Sequence, residues 1–253
     1  MLFRKIIVFF CPLLLFSALE LMFFNISLLP YCLAFSALIL FIALKYLIKG
    51  KLLSFEFLYL SLLPFLFLIT TVFFLFILND NWIRHAIIAS FVIISGFYLE
   101  NIFLYFNQPD VYQLETLENF SSFLILIIFF LLAVNLNSLS VFINLPLWLL
   151  SIILLICLTL LLLAGFWFGK LKHELKTVYL LIINIIILEV FWGLSFLPTN
   201  FYVSSIILTI FFYFSWGIIK AKLHDELDRK NIWRYLAISS ILIFLIIITS
   251  SWI

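Results

Sequence analysis

Four carboxylates stand inside long apolar runs of this 253-residue chain, at Glu20, Glu56, Glu100 and Glu189, and an Arg84–His85 dipeptide opens another such run. An ionised side chain in hydrocarbon costs ~2.5–3.5 kcal/mol on insertion scales. A carboxylate kept there is therefore either hydrogen-bonded to a neighbouring helix or lines a route for a proton, an ion or a polar solute. Glu189 is the deepest, eight residues or about 12 Å from the nearer end of its run, whereas Glu20 is four residues, about 6 Å, from its own. Both depths are measured from one side, where Asp80, Arg84 and His85 also fall, so a polar cluster opening to that side is geometrically available. A buried Arg84–Glu20 or Arg84–Glu189 pair would relieve the burial of both partners. The plainer alternative has Arg84 snorkelling to headgroups beside Asp80 and Trp82. Imidazole is the side chain that ordinarily changes charge near neutrality, which gives His85 a proton-relay reading beside that of a headgroup contact.

A second tier surrounds these four. His85, Ala89, Val92, Gly96 and Glu100 recur at helical spacing, a narrow stripe of small and polar residues of the kind that turns toward other helices. Glu100 and Asn101 lie near the opposite end of that run, Trp192 flanks Glu189, and Glu56 is close enough to Lys51 to pair with the lysines of the preceding loop. The ligand or ion-pathway candidates are thus Glu20, Arg84, His85 and Glu189, followed by Glu100, Asn101 and Trp192.

Other chemistries fail on residue supply, and no catalytic, cofactor-binding or metal-ligating residue is assigned. Haem ligation lacks a pair of buried axial ligands, because His173 and His224 fall in loops and His85 stands alone. Zinc spacing, Asp-rich diphosphate motifs and a Gly-rich phosphate loop are missing, and no lysine lies deep in a late span. Cys11, Cys32 and Cys157 lie in apolar runs without CxxC spacing and read as packing residues. The balance leans against an enzyme.

The elements that must position the candidates are membrane helices. At 67% hydrophobic and 10% charged, the chain falls far short of the ~25% charged residues of soluble domains and must be solvated by lipid. Runs of roughly 20 apolar residues thread as residues 6–24, 28–48, 52–78, 86–106, 120–139, 145–168, 177–197, 201–219 and 232–252. The breaks are short and polar or carry Pro: residues 25–27, 50–51, 79–81 and 198–200. The first run follows Arg4 and Lys5 but lacks a small-residue cleavage site, so it reads as a retained span rather than a leader.

With the N-terminus inside, nine spans bring Arg4, Lys5, Lys45, Lys49, Lys51, Lys170, Lys172, Lys176, Lys220, Lys222, Arg229, Lys230 and Arg234 to the inner side. Only Arg84, of the 14 Lys and Arg residues, falls outside. That segregation is the positive-inside pattern, and omitting a middle span would destroy it. Residues 107–119 are acidic yet assigned inside, which leaves a re-entrant pair for spans four and five as an alternative. The expected fold is all-α: a polytopic transmembrane bundle of about nine spans, N-terminus cytoplasmic and C-terminus outside. It is read as a single transmembrane domain over residues 1–253 with no soluble domain.

Two inner loops, residues 169–175 and 221–227, resemble each other and open either a parallel repeat or a convergence of Lys/Glu-rich helix ends. In the second, Lys222, Glu226 and Lys230, and Asp225 and Arg229, stand four apart, which predicts a salt-bridged helical extension. With 33 Phe and only 6 Gly, helices are expected to sit far apart, and a lone Gly165–Gly169 motif is weak grounds for close approach. Pro12 and Pro64 fall in mid-span, where carriers break their helices.

Three functions compete: a small permease or carrier-like protein with membrane-embedded carboxylates; a non-catalytic membrane subunit or assembly factor; and a lipid-modifying enzyme at the outer headgroup level using Asp80, His85 and Glu20. The expected setting is a multi-pass protein of a microbial cytoplasmic membrane. The expected partners are lipid and a membrane-protein partner or second copy. Nucleic acid is excluded because the charge segregates by side and not into a basic face.

Overall fold

The computed structural model describes residues 2–24, 26–48, 54–113, 116–169, 176–223 and 228–249. All regular structure in these segments is helical: α1 (Leu2–Phe24), a short 3-10 turn (Ile26–Leu28), α2 (Leu29–Leu47), α3 (Phe55–Ile77), α4 (Asn81–Asn107), α5 (Thr116–Ile143), α6 (Leu147–Phe168), α7 (Lys176–Ser195), α8 (Phe201–Leu223) and α9 (Arg229–Thr249). The first eight α-helices are long and apolar enough to cross a membrane, while the apolar part of α9 in the described residues, Ile232–Ile246, is shorter. α4 and α5 are unbroken helices of 27 and 28 residues, each long enough to span rather than turn back. The Gly50–Lys51 break and most of the two similar loops, including Asp225 and Glu226, lie outside the described residues.

The chain divides into two compact units, Met1–Leu124 and Ile125–Ile253, so the boundary falls early in α5. In the first unit α1 packs along both α2 and α4, and α3 lies against α2 and α4. Leu15, Leu19, Leu40, Leu44, Leu60 and Ile88 are fully buried there. Between membrane helices such contacts hold by dispersion and shape rather than by escape from water. α4 meets α1 along the predicted stripe. Glu20 pairs with His85 at one end, and further along a Cβ at Gly96 would lie 3.3 Å from Pro12 Cγ, so the glycine lets the two backbones close up around the ring. At the far end Asn107 Oδ1 accepts from Arg4 and its Nδ2 donates to the Leu47 carbonyl, fastening the ends of α1, α2 and α4 together.

Neither mid-span proline breaks its helix, contrary to the carrier-like expectation. α1 runs through Pro12 and α3 through Pro64. Proline lacks the N–H that would serve the carbonyl four residues earlier, which for Pro64 is that of Leu60. That carbonyl accepts instead from the buried Tyr98 hydroxyl of α4 at 2.8 Å. A neighbouring side chain thus satisfies the freed backbone group, and the helix stays whole.

In the second unit α7 packs between α6 and α8, and α8 also meets α9. Phe129 of α5 stacks on Phe212 of α8 with ring centres 4.2 Å apart, and Asn137 Nδ2 donates to Ser205 Oγ at 2.9 Å between the same two helices. The expectation of wide spacing fails where glycine is placed under an aromatic ring. A Cβ at Gly165 would lie 2.6 Å from the Trp216 ring, and one at Gly217 the same distance from Tyr235.

Candidate functional site

The α1 end and the α4 start supply the site. Asp80 caps α4 by accepting from the Trp82 N–H at 2.8 Å, which fixes the first turn carrying Arg84 and His85. Trp82 beside it is 84% exposed, as expected of a side chain at a membrane interface. On α1, Glu20 stands one turn before the helix end at Phe24.

His85 Nδ1 and Glu20 Oε1 are 2.8 Å apart; the imidazole is 57% exposed and the carboxylate 16%. Arg84 does not pair with Glu20. Its Nε donates to the Leu78 carbonyl at 2.8 Å and its Nη2 to the same oxygen, while Nη1 donates to Asn81 Oδ1 at 3.1 Å. Leu78 is the C-cap of α3, so its carbonyl belongs to a helix end that lacks N–H partners and carries partial negative charge. The guanidinium answers both deficits. The Phe23 ring lies 5.4 Å from Arg84 Cζ and presents its face to the cation.

Glu20, Phe23, Asn81, Arg84 and His85 together line one cleft of about 180 Å³. Three of the four principal candidates therefore converge. Glu189 belongs to the second unit and is exposed on α7, between exposed Ile185 and Ile186 on one side and exposed Trp192 on the other. Trp192 Nε1 donates to Ser151 Oγ on α6 at 2.6 Å.

The second-rank residues on α4 stay away from the cleft. Asn101 Nδ2 donates to the Phe97 carbonyl of its own helix, and Glu100 is exposed. Glu56 sits in the first turn of α3, where a carboxylate complements the helix N-terminus, and its expected partner Lys51 lies outside the described residues. Among the described residues no group of three His, Cys, Asp or Glu is placed to hold a metal ion.

Phe23 and Asn81 were not singled out from the sequence, although each stands three residues from a candidate, Phe23 from Glu20 and Asn81 from Arg84. That helical spacing is a usable signal for a shared face. The Leu78 carbonyl carries no side-chain signal at all.

Among the described residues, nine α-helices, eight of them long and apolar enough to cross a bilayer, with charged groups gathered where α1 ends and α4 begins, define a polytopic helical membrane protein. The chain belongs to the DUF5656 family, proteins of unknown function, whose model matches residues 17–249. No curated protein and no solved structure matches it.

Proposed function

We propose that this is a small permease or carrier-like protein of a microbial cytoplasmic membrane, with the α1–α4 cleft as the outer site that first receives a polar solute. One observation carries the reading: a carboxylate and an imidazole from different helices meet at 2.8 Å, with a guanidinium beside them in the same cleft. Such a pair can hold or release a proton as solute arrives. The orientation rests on the segregation of 13 of the 14 cations, which gives N-terminus inside and C-terminus outside when nine spans are threaded. Purified protein in liposomes loaded with a pH-sensitive dye tests the function. Collapse of an imposed proton gradient beyond that of empty liposomes supports it, and indistinguishable traces overturn it.

A second reading, a non-catalytic subunit that docks a partner helix or a second copy, is favoured by a different observation. Glu189 is exposed on an otherwise apolar face of α7, and a carboxyl at that depth needs a hydrogen-bonding partner. The lipid-modifying reading loses its third group, because Asp80 is engaged as the cap of α4 and does not line the cleft.

A further inference from the structure

The charges that line the α1–α4 cleft are of both signs, and this restricts what fits. Glu20 contributes an anion and Arg84 a cation, so with a neutral imidazole the lining sums to zero. A solute bearing one charge would be attracted by one wall and repelled by the other. A solute bearing both would satisfy the two together.

The hydrogen-bonding capacity divides in the same way. Arg84 has five N–H donors, of which three are engaged by Leu78 and Asn81, leaving two for an acceptor. On the other wall Glu20 Oε1 is taken by His85 Nδ1, which leaves Oε2 as an acceptor. If Nδ1 carries the proton, Nε2 of the half-exposed ring is an acceptor as well. One wall donates to an anion and the other accepts from an ammonium. The volume of about 180 Å³ is room enough for a molecule of amino-acid size.

We propose that the α1–α4 cleft binds a small zwitterion, its ammonium group against Glu20 and the open edge of His85, its carboxylate or phosphate on Arg84. The inference rests on reading the cleft as a binding site. The same chemistry is offered by a free amino acid and by the headgroup of an aminophospholipid, since the cleft lies at a helix end.

The test uses the full chain in nanodiscs of phosphatidylglycerol. L-alanine, propionate and ethylammonium are titrated calorimetrically, and a parallel preparation contains equal phosphatidylethanolamine and phosphatidylglycerol, with retained lipid counted by native mass spectrometry. Saturable binding of L-alanine identifies a soluble solute, and selective retention of phosphatidylethanolamine identifies a headgroup; either supports the proposal. Glu20→Gln and Arg84→Gln are each expected to weaken the bound species by about tenfold or more, the effect of losing a hydrogen bond to a charged group. Because Arg84 also fastens the end of α3, each variant is first checked for folding by circular dichroism and its melting transition, and Glu20→Gln, which leaves that helix end untouched, carries the test if Arg84→Gln does not fold. Propionate or ethylammonium binding as tightly as L-alanine overturns the proposal, as does failure to retain either zwitterion. Proton flux without zwitterion binding would sink this inference and leave the carrier reading standing. Zwitterion binding without flux would do the reverse.

Discussion

His85 Nδ1 lies 2.8 Å from Glu20 Oε1 across the α1–α4 contact, joining the N-terminal end of α4 to the C-terminal end of α1. The pair sits at a helix end with its imidazole 57% exposed, so it is partly screened by solvent, and its energetic worth is modest. Its value lies in placing an acid, a base and a fixed cation in one cleft.

A double-mutant cycle of Glu20→Gln and His85→Gln is expected to give a coupling of only ~0.2–1 kcal/mol, the range of exposed ion pairs. The coupling should shrink as salt is raised. Detergent-solubilised protein followed by chemical denaturation reads this directly, and a coupling of several kcal/mol would mean the pair is far more buried than its exposure indicates.

Tyr98→Phe removes the donor to the Leu60 carbonyl that Pro64 leaves unserved. A buried acceptor left unsatisfied costs about 1–3 kcal/mol, so the variant should melt earlier. Adding Pro64→Ala restores a backbone N–H four residues after Leu60 and should recover part of the loss. If the two changes destabilise additively, the carbonyl is served by something else.

Gly165→Ala places a methyl group 2.6 Å from the Trp216 ring, and Trp216 is itself 4% exposed, so it has little room to move. Overpacking of this kind costs ~1–3 kcal/mol. Trp216→Leu in the same chain should relieve the clash, with the double variant more stable than the sum of the singles predicts. Gly193→Ala meets nothing within 4 Å and serves as the neutral control.

If α7 docks a partner, Glu189→Leu removes the hydrogen-bonding group from its exposed face and should reduce association in mild detergent. A Glu189→Cys variant should cross-link in native membranes to a second copy or to another chain. A species that stays monomeric and uncross-linked would leave Glu189 facing lipid or water and remove the support for a partner subunit.

Much of the fold was legible because each apolar run had to be a helix once lipid was the solvent, with backbone groups satisfied internally. The stripe from His85 to Gly96 identified the face that meets α1, since small residues mark close approach. What escaped was the identity of partners across helices. Arg84 reads either as the partner of Glu20 or Glu189 or as snorkelling to headgroups, but the end of α3 offers a carbonyl that the sequence does not display. Pro64 looked like a helix break until Tyr98, 34 positions away, supplied its missing donor. The three clustered candidates were all found from their cost in hydrocarbon. The same criterion also selected Glu189, the deepest of them, which stands in the other unit.

The most direct measurement compares Glu20→Gln, His85→Gln and Glu189→Gln with the unaltered protein in dye-loaded liposomes, each variant first checked for folding. A working α1–α4 pair predicts that the first two lose gradient-driven proton flux while Glu189→Gln keeps it. Full flux in Glu20→Gln and His85→Gln, or loss confined to Glu189→Gln, would contradict the assignment of this cleft as the functional site.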